Sequence, residues 1–135
     1  MNLQPIVVRY SNIDLEKFKA IIEKELEKSN DQLHSSNQQI ANLVEKIEEE
    51  GDWMEDSGSQ TDLEMFRTMV NRQLRQISNL QNALTRIHNK SFGICTVTGE
   101  LIDKRRLIAV PTTGRSLAAE NAMQITEEEN AKRRS

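Results

Sequence analysis

Cys95 lies in residues 93–120, GICTVTGELIDKRRLIAVPTTGRSLAAE, where residue spacing suggests metal chemistry. A four-cysteine zinc site needs two Cys-x-x-Cys pairs, so that four thiolates can surround the ion. When the spacing Cys-x2-Cys-x17-Cys-x2-Cys is started at Cys95, the other three positions hold Thr98, Ser116 and Ala119. None of these three supplies a thiolate or an imidazole. We therefore predict that no metal is bound, and we interpret Cys95 as a small buried apolar side chain.

A region that has lost zinc ligands must be stabilised in another way, because structural zinc contributes about 10 to 16 kcal/mol of apparent binding free energy in zinc-finger peptides. Burial of apolar side chains at roughly 1.5 to 3 kcal/mol each can replace that contribution. The side chains predicted to form this core are Phe92, Ile94, Val97, Leu101, Ile102, Leu107, Ile108, Val110 and Leu117.

A second group with potential chemistry is acidic and lies in the run GDWMEDSGSQ at residues 51–60. It contains Asp52, Glu55 and Asp56, together with Trp53. Carboxylates at the end of a rigid hairpin could act on a metal or on basic elements in a deep cleft of another protein. The alternative is a solvated loop with incidental acids. Trp53 would either contact a binding partner or fold back over the last helical turn.

Two long helices are predicted on either side of this acidic turn, because apolar residues recur there at alternating three- and four-residue steps. The first helix is expected from Ser11 or Asn12 to about residue 50, and the second from Thr61 or Asp62 to about Asn89. Polar residues interrupt the apolar seams and could fix the helix register, namely Ser29, Ser36 and Gln73. The short connection favours an intramolecular antiparallel hairpin, and the alternative is that each helix pairs with another chain.

The region after the hairpin changes character and is predicted to form a small separate module. The runs FGICTV and RLIAVP, at residues 92–97 and 106–111, are interpreted as two short strands joined by a turn. Gly99 is expected to take a positive φ angle in that turn. Residues 115–132 are predicted to form a helix.

The predicted fold class is therefore mainly α: a long antiparallel coiled-coil hairpin followed by a degenerate zinc-finger-like module, made of a short β-hairpin and a helix. The expected division is an N-terminal lead at residues 1–11, a hairpin at 12–90 with its tip at 51–61, and the metal-free module with the C-terminal helix at 91–135.

Composition narrows the range of functions. The formal net charge is −3, which argues against a protein that wraps duplex DNA, because phosphate neutralisation dominates such binding. The single cysteine excludes an intramolecular disulfide framework. We see no secretory signal or membrane span in the sequence, so a cytoplasmic location is expected. No catalytic triad or Gly-rich phosphate loop is recognisable, so the protein is not expected to be an enzyme.

The runs FGICTVTG at residues 92–99 and RRLIAVP at 105–111 resemble the C-terminal finger of the DksA/TraR transcription factors. The long hairpin ahead of them also fits that family, and the likeness covers most of residues 12–125. The sequence is similar to a branch of the family in which the finger cysteines are largely lost. The family's zinc is therefore not expected here.

The resemblance implies a bacterial regulator that binds RNA polymerase directly. The family's hairpin enters the secondary channel and brings acidic tip residues near the active centre. Asp56-Ser57-Gly58 matches the family's Asp-x-Ala tip motif with glycine in place of alanine, and Glu55 is the alternative tip residue. The family's alarmone site is expected to be weak or absent, because Arg72 matches its pattern but Asn79, Val110 and Glu120 do not supply cations.

Lys104, Arg105 and Arg106 form a basic cluster with three interpretations. The cluster could contact an acidic surface of the polymerase, contact nucleic acid, or form a solvated face without a partner. Two other functions stay open at the level of the whole chain. One is a structural coiled-coil protein that dimerises through its apolar seams, and the other is a DNA-binding finger protein.

Overall fold

The structure is a computed structural model that describes residues 9–50 and 57–134. Within these residues the chain forms four α-helices. The two long helices are α1, Asn12–Glu50, and α2, Ser57–His88. The two shorter ones are α3, Lys104–Ala109, and α4, Leu117–Arg134. The mainly helical architecture with a long helical hairpin agrees with the sequence prediction.

The described residues fall into two compact units. The hairpin unit holds residues 23–50 and 57–81, and the knuckle unit holds residues 9–22 and 82–134. Both long helices contribute residues to each unit.

The hairpin unit is built on the two predicted apolar seams. Ile47 and Leu80 are buried, whereas most other apolar seam residues in this unit are half-buried. The polar seam residues Ser29 and Ser36 are each only 4% exposed. Gln73 Nε2 donates a hydrogen bond of 2.8 Å to Gln32 Oε1, which joins the two helices through side-chain amides. This bond supports the prediction that polar seam positions specify the helix register.

The knuckle unit has an aromatic core that fastens the start of α1 to the residues after α2. The Phe18 ring lies 5.5 Å from the Tyr10 ring in an edge-to-face arrangement and 5.2 Å from the Phe92 ring. The Tyr10 hydroxyl donates a hydrogen bond to the Ile102 carbonyl. Residues around the start of α1 and residues after the end of α2 therefore share one core.

The prediction of a β-hairpin in the knuckle unit is wrong in its second half. Residues 104–109 form helix α3, whose N-cap residue Asp103 accepts a hydrogen bond of 2.8 Å from the backbone N–H of Arg105. The first predicted strand is reduced to an isolated antiparallel bridge between Ile94 and Leu101. Asp103 is a favoured helix N-cap residue, and the strand interpretation overlooked this signal.

The predicted core list for this region is also partly wrong. Phe92, Ile102 and Leu107 are fully buried and Ile94 is half-buried, as expected. The remaining predicted core residues are between 39% and 60% exposed: Val97, Leu101, Ile108, Val110 and Leu117. The buried core of this unit instead includes three N-terminal side chains, Tyr10, Leu15 and Phe18. They precede the predicted module in the sequence, so the core prediction did not include them.

Helix α2 begins earlier than the sequence pattern indicates, at Ser57 rather than at Thr61 or Asp62. Among the described residues, no helix is long and apolar enough to cross a lipid bilayer.

Candidate functional site

The residues after α2 form a tight loop, the knuckle, which we define as residues 93–100. The backbone N–H of Gly99 donates to the Cys95 carbonyl at 2.9 Å, and the N–H of Cys95 donates to the Glu100 carbonyl at 2.7 Å. Gly99 has a φ of 72°, so the predicted positive φ angle is confirmed. Only glycine adopts this backbone conformation at little cost. The knuckle is therefore a tight turn closed by backbone hydrogen bonds on both sides of Cys95.

The Cys95 sulfur accepts hydrogen bonds from neighbouring groups. Cys95 is 1% exposed, and the backbone N–H of Ser116 donates to its Sγ at 3.4 Å. Hydrogen bonds from the Thr98 side chain, from the Ser116 backbone and from the knuckle backbone lower the pKa of the Cys95 thiol to about 6. Burial of Cys95 agrees with the prediction, but a lowered pKa is not the property of an inert apolar side chain.

Ser116 and Ala119, the later two degenerate ligand positions, form the start of α4. Ser116 is the N-cap residue, and its Oγ accepts a hydrogen bond of 3.2 Å from the backbone N–H of Ala119. Ala119 is buried, at 6% exposed. Thr98 and Ser116 therefore contact Cys95, whereas Ala119 donates its backbone N–H to the Ser116 side chain. Cys95, Thr98 and Ser116 are thus joined by hydrogen bonds, and of these three Ala119 is bonded only to Ser116.

The residues at this cluster do not fit a zinc ion. Cys95 is the one thiolate, the Ser116 hydroxyl is engaged in the helix cap, and Ala119 has no donor atom. Zinc sites in proteins use combinations of thiolate, imidazole and carboxylate ligands. Within the described part of the chain, no group of three or more His, Cys, Asp or Glu side chains could hold a metal ion.

The three residues of the basic cluster have different surroundings. Lys104 Nζ lies 3.2 Å from Asp14 Oδ1 and 5.9 Å from the centre of the Tyr10 ring. Arg106 is half-buried, and its Nε donates to the Arg115 carbonyl at 2.9 Å. Arg105 is exposed. The cluster is therefore not one uniform charged surface.

Ion pairing and burial change the pKa values of two groups near Lys104. The hydrogen bond from Lys104 lowers the pKa of the Asp14 carboxyl. Burial raises the pKa of the Tyr10 hydroxyl, and the nearby charges of Asp103 and Asp14 act in the same direction. The sequence prediction treated Tyr10 as part of a lead segment. Its phenol ring close to a helix start was the one available signal of a packing role.

Arg86, which the sequence analysis also missed, works with Arg106 on the loop before α4. Arg86 Nη2 donates to the Thr112 carbonyl at 3.3 Å, and Arg106 Nη2 donates to Thr113 Oγ1 at 3.4 Å. Burial lowers the pKa of Arg86. These two guanidinium groups hold the backbone of residues 112–115, and this loop in turn delivers Ser116 to Cys95.

The predicted acidic tip residues, Asp52, Trp53, Glu55 and Asp56, lie outside the described residues. Their role stays a prediction.

A polar groove of about 320 Å³ lies next to Ser29 in the hairpin unit and is lined by the cations Lys28 and Arg72 as well as by Glu25. Of the other positions compared with the alarmone site, Asn79 is exposed on α2, and Glu120 pairs with Arg115 at 3.5 Å.

The described residues form a long helical hairpin and a small unit that contains the single cysteine, Cys95. Comparisons with known proteins agree with this helical architecture. The chain is similar to the "RNA polymerase-binding transcription factor DksA" of Caulobacter vibrioides strain NA1000 / CB15N. The two sequences are 33% identical over 88 residues, which is 65% of this chain. The same protein of strain ATCC 19089 / CIP 103742 / CB 15 gives the same values. The match covers 62% of the length of these curated relatives.

Among solved structures, transcription factor DksA2 from Pseudomonas aeruginosa shares the fold, with a TM-score of 0.76 and 19% identity over 84% of this chain and 85% of that chain. The family model described as "Protein of unknown function (DUF327)" matches residues 8–97. The chain belongs to this family. It is also similar in sequence to the two DksA proteins and in fold to DksA2, which supports the predicted resemblance to the DksA/TraR family.

Proposed function

We propose that this protein is a transcription regulator that binds RNA polymerase directly and is not an enzyme. The observation that carries the proposal is the 33% identity over 88 residues to a protein named as an RNA polymerase-binding transcription factor. The helical hairpin supports it, because the same architecture occurs in a structure titled as transcription factor DksA2. The cytoplasm is the expected location of such a regulator.

The proposed mechanism places the hairpin in the secondary channel of the polymerase, with acidic tip residues near the active centre. The length of the two helices, 39 and 32 residues, supports this proposal, because each residue adds about 1.5 Å along a helix and the hairpin is therefore long. Asp56 is the proposed tip carboxylate, and Asp52, Trp53 and Glu55 are its neighbours in sequence. Negative charge delivered there would alter the lifetime of promoter complexes through the metal or mobile basic elements of the cleft.

The deciding experiment measures two quantities for wild type and for Asp56→Asn: the affinity for core RNA polymerase and the lifetime of a promoter complex. We expect both proteins to bind with similar affinity, because the substitution preserves size and removes only the charge. The wild type alone should change the lifetime of the complex. Glu55→Gln is the matched variant for the neighbouring carboxylate and identifies which of the two residues acts.

Two results would contradict the proposal. If the wild type does not bind polymerase, direct regulation is wrong, and light scattering over a range of concentrations then tests the coiled-coil dimer. If the wild type binds duplex DNA tightly with a steep salt dependence instead, the finger-like DNA reader is favoured.

A further inference from the structure

The hairpin unit has polar side chains in its seam at places where paired helices usually bury apolar ones. Among the described side chains of this unit, four are buried, and two of these are the serines Ser29 and Ser36. The other two are Ile47, near the end of α1, and Leu80, near the point where α2 leaves the unit. The described middle of the hairpin seam therefore lacks a fully buried apolar side chain.

A polar layer, which we define as Ser29, Gln32 and Gln73, joins the two helices in this middle part. The Nε2 atom of Gln73 donates a hydrogen bond of 2.8 Å to Gln32 Oε1. All three side chains line the groove of about 320 Å³, whose other lining residues are also polar or charged, namely Glu25, Lys28, Arg72 and Gln76. A polar groove of this volume has room for several water molecules. Because amides and a serine hydroxyl take the place of apolar contacts, this layer adds little hydrophobic stabilisation between the helices.

The distal segment, which we define as residues 33–50 with 57–70, lies beyond the polar layer and buries little apolar surface. Ile47 is the one apolar side chain in its described part that is fully buried. Its other apolar seam residues are half-buried: Leu33, Ile40, Leu43, Val44, Leu63, Phe66 and Val70. Met65 and Met69 are 51% and 40% exposed. Helices in water depend on tertiary packing, so a segment with so few buried side chains opens at a low free-energy cost.

The knuckle unit, by contrast, has a densely buried core. Six of its large apolar side chains are each at most 5% exposed: Leu15, Phe18, Ile22, Phe92, Ile102 and Leu107. Backbone hydrogen bonds next to such a core exchange only when most of the fold opens. The two parts of the chain therefore differ in the free energy needed to open them.

We infer that the polar layer is a conformational joint, and that the distal segment opens and closes as one cooperative unit while the knuckle unit stays folded. Opening breaks the helical backbone hydrogen bonds and the seam contacts of the distal segment together. It takes place in the free chain and needs no partner, so it lies beyond the proposed function. Such a joint lets the far end of the hairpin change its conformation on binding while the rest of the chain keeps its structure.

Native-state hydrogen exchange of the full-length chain tests the joint, when followed by NMR at several urea concentrations below the unfolding midpoint. We expect the distal amides to share one opening, with protection factors about tenfold or more below those of Phe18 and Ile22. The step should fall between Ser29 and Leu33 on α1 and near Gln73 on α2. This opening should depend less steeply on urea than global unfolding does, because the slope scales with the surface exposed.

Gln73→Leu extends the apolar seam through the polar layer and should couple the distal segment to the rest of the chain. Protection factors of the distal amides should rise about tenfold, because a leucine in the seam gains from burial. The matched control is Gln38→Leu, the same substitution at an exposed position of the distal segment. It adds nothing to the seam and should leave the step in place. Far-ultraviolet circular dichroism and melting temperature confirm that both variants are folded.

Three results would overturn the joint. A gradual fall of protection toward the helix ends would mean simple fraying without a cooperative segment. Exchange of the distal amides only through global unfolding would mean that the described chain opens as one unit. An equal change in distal protection in Gln73→Leu and Gln38→Leu would show that the polar layer is not the cause. None of these measurements involves RNA polymerase, so the proposed function stands or falls separately.

Discussion

Cys95 illustrates what the residue types alone could and could not reveal. The sequence shows that positions 98, 116 and 119 lack thiolates. It also allowed the burial of Cys95 to be predicted. The contact between its sulfur and the Ser116 N–H could not be read there, because it joins residues 21 positions apart through the fold of the intervening loop. Arg86 and Arg106 place that loop, and long-range side-chain contacts of this kind leave no periodic signal.

A lowered thiol pKa makes stability depend on pH. The pKa of Cys95 falls from 9.0 to about 6 in the folded chain, so between these values the unfolded chain binds more protons than the folded one. The free energy of unfolding should therefore rise with pH across this interval. The contribution of Cys95 should be lost as the pH falls through 6, and the slope corresponds to at most about one proton per chain. The measurement is the urea midpoint of unfolding at several pH values.

Cys95→Ser provides the comparison, because serine has a similar size and does not ionise in this range. The variant should lose the part of the pH dependence that the thiolate contributes. An equal rise of the midpoint with pH in both proteins would show that Cys95 is not the responsible group.

At the scale of elements, the long helices were predictable and α3 was not. The helical hairpin followed from the repeated three- and four-residue spacing of apolar residues, a signal that accumulates over many turns. Helix α3 has six residues, too few for such a pattern to distinguish it from a strand. Its existence depends on the Asp103 cap and on the burial of Leu107 against a core supplied partly by Tyr10 and Phe18.

The knuckle makes different demands on its two glycines, and this difference can be measured. Gly93 has a φ of 78°, and an added Cβ would lie 2.5 Å from Tyr10 Cε2. Gly99 has a φ of 72°, but a Cβ there would meet no atom within 4 Å. We expect Gly99→Ala to cost about 1 kcal/mol of unfolding free energy from backbone strain alone. Gly93→Ala should cost at least about 2 kcal/mol, because the Tyr10 ring must also move.

Denaturant unfolding of the two alanine variants measures both costs, and Gly99→Ala is the control for positive φ. Equal losses would contradict the close packing of Tyr10 on the knuckle. A second check is Tyr10→Leu in the Gly93→Ala background, which should recover part of the lost stability if the clash is with the ring.

At the scale of the whole molecule, the sequence predicted the fold class because the hairpin dominates the chain. The N-terminal residues were treated as a lead, yet Tyr10 lies at the centre of the knuckle unit, beside Phe18, Gly93 and Ile102. Contacts between the two ends of a sequence depend on the complete fold, and local patterns do not report them. The acidic tip, which carries the proposed activity, stays a prediction.

Removal of metal tests the stabilisation of the whole chain. The purified protein should contain far less than about one zinc per chain, and a strong chelator should leave its ellipticity and melting temperature unchanged, because structural zinc stabilises a fold only through suitable ligands. The control is a zinc-finger protein treated in the same way. A collapse of the melting temperature on chelation would mean that the apolar core and the hydrogen bonds to Cys95 are insufficient.

The pairing of the Ser116 N–H with the Cys95 sulfur has a consequence for the cell that makes this protein. A finger that matures by metal insertion competes with other proteins for a limited ion and cannot fold until it is supplied. A knuckle whose cysteine sulfur is bonded by the backbone N–H of Ser116 does not need an ion for that contact. We therefore expect the amount of folded protein in cells to be the same in zinc-depleted and in zinc-replete medium.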